Sequence, residues 1–240
     1  ICQTMRLFVS GSAPMLAETH EQFTGRTGHH ILERYGMTEA GMITSNPLNG
    51  ERLAGSVGFT LPGTRARVCD DDGNTVAMGE PGTLEITGPN VFLGYWQNPE
   101  KTKAEFRDDG YFITGDVATM SGDGRICIVG RAKDLIISGG FNIYATDLEL
   151  VLLESPAVHE VAVVALPSAA WGETPLAIVV LEQGAHVSEC SLKEWANERL
   201  GKAQRIARVV IVDDLPKSSI GKVLKRELRE QYAHLSDHIA

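Results

Sequence analysis

Three places in the chain put reactive side chains where a site for a phosphorylated ligand needs them. Tyr35-Gly36-Met37-Thr38-Glu39 follows a short apolar stretch. Its tyrosine offers a flat face on which a purine can stack. Gly36 lets backbone approach closely, the Thr38 hydroxyl can bond a phosphate oxygen, and Glu39 supplies a hard oxygen ligand suited to Mg²⁺. Asp116 closes Tyr111-Phe112-Ile113-Thr114-Gly115-Asp116, where a carboxylate at a strand end can accept from the two vicinal hydroxyls of a ribose. Lys222 ends Pro216-Lys217-Ser218-Ser219-Ile220-Gly221-Lys222, ahead of a helix striped by Leu224, Leu228 and Tyr232. At a helix N-terminus the dipole disfavours a cation and favours a bound anion, so a lysine there suits an anionic transition state better than it suits helix stability. Each feature also has an ordinary reading. Thr38-Glu39 can sit in a polar turn, Asp116 can satisfy turn amides, and Lys222 can join Lys217, Lys225, Arg226 and Arg229 on a solvated basic face.

The elements that must carry these residues differ between the two halves of the chain. Arg6 to Val9 reads as a strand running into Ser10-Gly11-Ser12-Ala13-Pro14. A strand followed by small residues builds a ligand crevice in open α/β sheets, and equally an ordinary strand-to-helix turn. Residues 15–28 read as a helix and Ile31-Leu32 as a second strand. From Gly50 to Val129 the pattern is hairpin-rich, with turn signals at Asp71-Asp72-Gly73-Asn74, Asp108-Asp109-Gly110 and Ser121-Gly122-Asp123-Gly124. Thr83 to Thr87 alternates as a half-buried strand should. The 25 glycines, against about 17 at average usage, fit so many turns.

The stretch from Gly130 to Tyr144 then joins two cations, Arg131 and Lys133, to an apolar strand, Leu135-Ile136-Ile137. The glycine pair Gly139-Gly140 can turn the chain and leave backbone bare. Beyond it, Thr146-x-x-Glu149 reads as a capping box opening a helix with Leu148, Val151 and Leu152 on one face. Val158 to Leu166 and Pro175 to Leu181 read as strands buried on both faces. Ser191-x-x-Glu194 caps another helix, and Arg208 to Val212 is a further strand. This alternation makes a compact α+β domain.

A net charge of −9 argues against a nucleic-acid surface, and no apolar run approaches the roughly 20 residues of a membrane span. Cys2, Cys69, Cys127 and Cys190 are scattered and read as buried free thiols of a cytoplasmic protein. The His29-His30 pair has no Cys or carboxylate at zinc spacing. The chain lacks an initiator Met and opens inside what reads as a core element, so it is expected to be a fragment.

Tyr35 to Glu39, the run from Gly88 to Trp96, Asp116, Gly130 to Tyr144 and Pro216 to Lys222, in that order, resemble the signatures of the adenylate-forming superfamily. That superfamily contains acyl-CoA synthetases, luciferases and peptide-synthetase adenylation domains. The resemblance implies a mixed α/β and α+β fold. Residues 1–132 are then the C-terminal part of the large nucleotide- and acyl-binding domain, a sheet edge plus an antiparallel β-rich subdomain. Residues 133–240 are a small mobile C-terminal domain. ATP is held by Ser12, Ala13, Pro14, Tyr35, Thr38, Asp116 and Arg131. Catalysis falls to Lys222, Thr38 and Glu39, with Mg²⁺ on Glu39. Lys133 is the hinge, and Ser138, Gly139 and Gly140 form the loop that receives CoA. For the run from Gly88 to Trp96 a structural role is the reading adopted.

The longer stretches Leu32 to Glu39, Thr44 to Pro47 and Phe8 to Pro14 are similar to malonyl-CoA synthetases. They imply malonate or methylmalonate as the acid, with Ser10, Arg34 and Met37 at the acyl end. Arg34 can grip a second carboxylate in bidentate fashion; as an alternative it is salt-bridged to Glu33 or Glu39. Other readings are a medium- or long-chain fatty-acid–CoA ligase, an adenylating module that does not use free CoA, or a fragment that only binds. Small molecules are the expected partners. The family's Ser/Thr/Gly-rich loop for the β- and γ-phosphates is missing, so the fragment itself is expected to be weakly active or inactive. Ala145 and Asp147 stand where the family more often has proline and glutamate.

Overall fold

The computed structural model describes residues 2–12, 15, 17–219 and 221–238, with side chains to 235. Contacts divide the chain into two compact units, Ile1–Ala132 and Lys133–Ala240.

The first unit holds two sheets. β1 (Val9–Ser10) and β2 (Leu32–Met37) are parallel and joined by helix α1 (Ala17–Thr27). β3 (Gly41–Ser45) and β4 (Phe59–Thr60) continue the sheet antiparallel. The second sheet is an antiparallel meander of β5 (Arg65–Cys69), β6 (Gly82–Thr87), β7 (Phe112–Met120) and β8 (Ile126–Arg131). Helix α2 (Pro99–Ala104) lies between β6 and β7 in the chain. Its start follows from sequence: the Asn98 side chain accepts from Lys101 N, and Pro99 has no N–H to leave unsatisfied. Ile43 of the first sheet packs with Val68, Leu84, Ile86, Phe112 and Ile126 of the second in one core.

Several expectations change here. The first strand is Val9–Ser10 rather than Arg6 to Val9, and the heptad Glu33–Glu39 lies mostly within β2 instead of after it. Thr83 to Thr87 is a strand, but Leu84, Glu85 and Ile86 are all buried. Glu85 has no exposed side-chain surface because Arg67 and Arg107 reach it at 2.8 and 2.7 Å. Two guanidiniums offset the desolvation cost that would otherwise keep a carboxylate at the surface.

The second unit is built on one sheet: β10 (Phe141–Tyr144), β9 (Leu135–Ser138), β12 (Gly172–Leu181) and β11 (Val158–Ser168), with β13 (Arg208–Val212) parallel to β12. Helices α3 (Ala145–Leu153), α4 (Glu189–Asn197) and α5 (Lys225–Tyr232) complete it. Alternate residues of β12 enter two cores. Ala177 and Val179 pack with Leu148, Leu152 and Leu192, while Leu176, Ile178 and Val180 pack with Leu215 and Leu228. Helices on both faces explain why these strands read as continuously apolar, although β11 and β12 pair antiparallel.

Both capping boxes are corrected. α3 begins at Ala145 with no side-chain cap, so Thr146 is already helical. Glu149 instead accepts from Val163 N at 2.7 Å and pairs with Lys225 at 2.6 Å. α4 is capped by Ser188, whose backbone is extended and whose hydroxyl accepts from Ser191 N at 3.1 Å. The thiols also differ from expectation. All four are unpaired, but only Cys69 is buried, Cys2 and Cys127 are half-buried and Cys190 is exposed.

Candidate active site

Tyr35, Asp116 and Arg131 come together within the first unit. Asp116 and Arg131 are directly opposite across β7 and β8, and Arg131 Nε lies 3.0 Å from Asp116 Oδ1. Tyr35 donates from its hydroxyl to Asp116 Oδ2. The carboxylate is only 3% exposed. Its presentation depends on Gly115, which adopts φ 71° inside β7, a left-handed conformation costly for any side chain but free for glycine. Thr114 fixes the same bend: its hydroxyl donates to Leu84 O at 2.7 Å and accepts from Asp116 N at 3.1 Å. Burial, then the neighbouring Asp116 charge, push the Tyr35 phenol well above its usual pKa, so it stays a donor.

Thr38 and Glu39 occupy the turn between β2 and β3, Thr38 exposed and Glu39 half-buried. Gly36 is required there by the protein itself: a Cβ would lie 2.2 Å from Gly41 O. Tyr95 donates to Glu39 Oε1 at 3.1 Å, Phe92 N donates to Glu39 O at 2.8 Å, and Asn90 Nδ2 to Ala40 O at 2.9 Å. The run from Gly88 to Trp96 thus fastens the Thr38-Glu39 turn, a connection its sequence alone does not announce. Among the described residues, no group of three or more His, Cys, Asp or Glu is placed to hold a metal. A single half-buried carboxylate nevertheless fits Mg²⁺, which takes one or two carboxylates and completes its octahedron with phosphates and water.

Of the residues expected near the acid, Ser10 is half-buried on β1, beside Glu33 of β2. Arg34 is exposed on β2 and packs against Gly11, where a Cβ would meet its O at 3.1 Å and its Cγ at 3.3 Å. Glu33 is buried and accepts from Gly55 N at 3.1 Å. Among the described residues Arg34 forms no ion pair, so the Glu33 or Glu39 salt bridge weighed above is not made. Met37 Sδ lies 3.9 Å from the Tyr35 hydroxyl. Ser12 has φ 71°, and Ala13 and Pro14 fall outside the described residues.

The remaining candidates belong to the second unit. Lys133 opens it, and its carbonyl accepts from Arg229 Nη2 at 3.1 Å while the same nitrogen pairs with Asp134 Oδ1. Ser138, Gly139 and Gly140 make the β9–β10 turn, with φ 57° and 84° at the two glycines. Gly139 N donates to Trp171 O at 2.8 Å, and a Cβ on Gly139 would strike the Trp171 ring at 2.7 Å. Trp171, 58% exposed, stands with exposed Ile137 and Phe141 around this loop.

Lys222 is not at the helix N-terminus expected for it. α5 begins at Lys225, and Lys222 sits in a hairpin closed by the Lys217–Val223 bridge, with Ser218 N donating to Lys222 O at 2.8 Å. The expected basic patch is also paired off: Lys217 with Glu160, Lys225 with Glu149, Arg226 with Glu230, Arg229 with Asp134. Lys222 is exposed and, among the described residues, forms no ion pair.

The class is settled by comparison. The family model for AMP-binding enzymes matches residues 2–96, and that for the AMP-binding enzyme C-terminal domain matches residues 147–222. The chain belongs to the AMP-binding, adenylate-forming family, close to its malonyl-CoA synthetases. Malonate–CoA ligase ACSF3 of Bos taurus is 40% identical, over 98% of this chain and 44% of its own length. A long-chain-fatty-acid–CoA ligase of Yersinia pestis is also 40% identical, over 95% of this chain and 40% of its own. The ATP-bound crystal structure of MatB from Rhodopseudomonas palustris superposes with a TM-score of 0.92 at 48% identity, covering 96% of this chain and 46% of that one. The chain therefore spans less than half the length of these relatives. No helix among the described residues is long and apolar enough to cross a membrane.

Proposed function

We propose that the whole protein is an ATP-dependent acid–thiol ligase that converts malonate or methylmalonate to an acyl-adenylate and passes the acyl group to CoA. The observation that carries this reading is the buried Asp116 carboxylate held between Tyr35 and Arg131. It is the acceptor proposed for the two ribose hydroxyls, with the Tyr35 ring beside it for the adenine; Ser12, Ala13 and Pro14 are proposed to contribute to the same nucleotide. Thr38 donates to a phosphate oxygen. Glu39 would hold Mg²⁺, which would supply positive charge to the triphosphate.

Activation brings two anions together, the carboxylate and the α-phosphate. Lys222, exposed on a short hairpin and without an ion-pair partner among the described residues, bridges oxygens of both and stabilises the charge that spreads in the transition state. The same ammonium would obstruct an incoming thiol. Rotation at Lys133 of a small domain 133–240 withdraws it and presents the turn of Ser138, Gly139 and Gly140, whose bare backbone and apolar rim suit the thin arm of CoA. Arg34, exposed and without an ion pair among the described residues, addresses the distal carboxylate of a dicarboxylic acid, with Ser10 and Met37 alongside. The similarity to the Yersinia pestis protein favours a second reading, a fatty acid in place of malonate.

Pyrophosphate release by the whole protein, across mono- and dicarboxylates with and without CoA, separates these. Malonate or methylmalonate is expected to give the highest kcat/KM, with thioester formed only when CoA is present. A preference for octanoate or palmitate would reject the dicarboxylate assignment. Absence of pyrophosphate release with every acid would reject the ligase.

A further inference from the structure

The geometry points to Tyr95 as the residue that positions the Glu39 carboxylate. This inference rests on the reading of Glu39 as the carboxylate that holds the divalent cation. A glutamate has three rotatable side-chain bonds, and among the described residues none of the turn's own groups hydrogen-bonds the Glu39 carboxylate. The loop from Phe92 to Tyr95 does. Phe92 N holds the Glu39 carbonyl at 2.8 Å and the Tyr95 hydroxyl holds Oε1 at 3.1 Å, so main chain and side chain are fixed from one short segment.

Tyr95 is itself tightly held. Its backbone N donates to Thr102 Oγ1 at 2.9 Å. The Phe92 ring meets it edge-on at 4.8 Å, and Lys101 Nζ lies 4.0 Å from the ring centroid. Gly94 allows this closeness, since a Cβ there would lie 2.6 Å from Thr102 Cγ2. The phenol has one proton and two carboxylate neighbours. The shorter bond, 2.6 Å to Glu105 Oε2, takes the larger share of it, and Lys101 lies 3.8 Å from the other Glu105 oxygen. Glu105 is therefore compensated within the protein. Glu39 is aimed by the weaker, 3.1 Å contact and keeps most of its negative charge for a cation. Outer partners that orient a ligating group typically affect metal affinity 10- to 100-fold.

The test uses the whole protein with ATP, no carboxylic acid, and Mn²⁺ as the probe, bound metal being read by water-proton relaxation. Tyr95→Phe is expected to weaken Mn²⁺ binding in the ATP complex about 10- to 100-fold, with metal-free AMP affinity unchanged. Glu39→Gln is measured in parallel, and adding Tyr95→Phe to it should cost nothing further. Weakening by Glu39→Gln but not by Tyr95→Phe overturns the positioning role alone. No weakening by either variant removes the reading of Glu39 and this inference with it. A loss of AMP affinity in Tyr95→Phe equal to its loss of Mn²⁺ affinity makes Tyr95 a general support of the fold and also overturns the inference.

Discussion

The Tyr35 hydroxyl donates to the Asp116 carboxylate across 81 residues of sequence, joining the two sheets of the first unit at the point where Arg131 also arrives. Removing that donor leaves a buried carboxylate with one hydrogen bond fewer than it is built for. Tyr35→Phe is expected to cost about 1–3 kcal/mol of stability and to weaken AMP binding by roughly tenfold. Chemical denaturation and calorimetry with AMP would check both. An unchanged denaturation midpoint would show that the hydroxyl is replaced by water at no cost.

Lys222→Ala should leave folding and AMP affinity intact, because the side chain is exposed and its hairpin is closed by backbone bonds. Pyrophosphate release by the whole protein is expected to fall about 10²- to 10³-fold, the usual effect of deleting a donor to a developing oxyanion. Transfer of acyl from a supplied acyl-adenylate to CoA should fall much less.

Arg34→Ala tests the acid. A charge-assisted pair with a distal carboxylate is worth about 1.5–3 kcal/mol, so the preference for malonate over octanoate should drop roughly 10- to 150-fold. Competition assays with both acids present would read the ratio directly. An unchanged ratio would assign dicarboxylate recognition elsewhere.

Gly139→Ala separates the two half-reactions. The backbone there is left-handed, which a Cβ disfavours by about 1–2 kcal/mol, and the added methyl would strike the Trp171 ring at 2.7 Å. Thioester formation from acyl-adenylate and CoA is expected to slow by at least about tenfold, with pyrophosphate release unaffected. Single-turnover assays resolve the steps.

Glu33 gives a pH-dependent stability. Burial raises its carboxyl above the ordinary 4.5, against smaller opposing effects from the Gly55 N–H and His20. In the interval between the unfolded and the raised folded value the folded state binds more protons, so Glu33 lowers stability as pH rises through that interval. Glu33→Gln keeps an acceptor for Gly55 and cannot ionise. Its stability relative to the parent should therefore increase as pH rises above 4.5 and level off once the folded carboxyl has ionised. A difference that does not vary with pH would exclude the buried charge as its source.

Much of the site was legible because its motifs are local. Tyr35 to Glu39, Thr114 to Asp116 and Ser138 to Gly140 each hold their special residue within one turn or bend. What escaped was set by tertiary contact. Nothing in the alternation of Thr83 to Thr87 reveals that two distant arginines would draw Glu85 inside. Thr146 and Ser191 each satisfy a capping pattern, but the strand before α3 and the extended backbone at Ser188 decide where those helices begin. Lys222 was displaced from its expected helix start by a bridge between Lys217 and Val223. Tyr95 was passed over because its partners, Glu39 and Glu105, lie on either side of it in sequence at distances no local pattern encodes.

Arg229 has a mechanical implication for the junction at Lys133. By gripping the Lys133 carbonyl and the Asp134 side chain together, it welds the peptide plane between them onto the last helix of the second unit. If Lys133 is the hinge, as proposed, that plane is held and rotation falls to bonds on its amino side, the φ of Lys133 and the ψ of Ala132. A swivel with one bearing bolted down would turn about a defined axis, and Arg229→Ala would then be expected to loosen it without removing any residue proposed to touch nucleotide, acid or CoA.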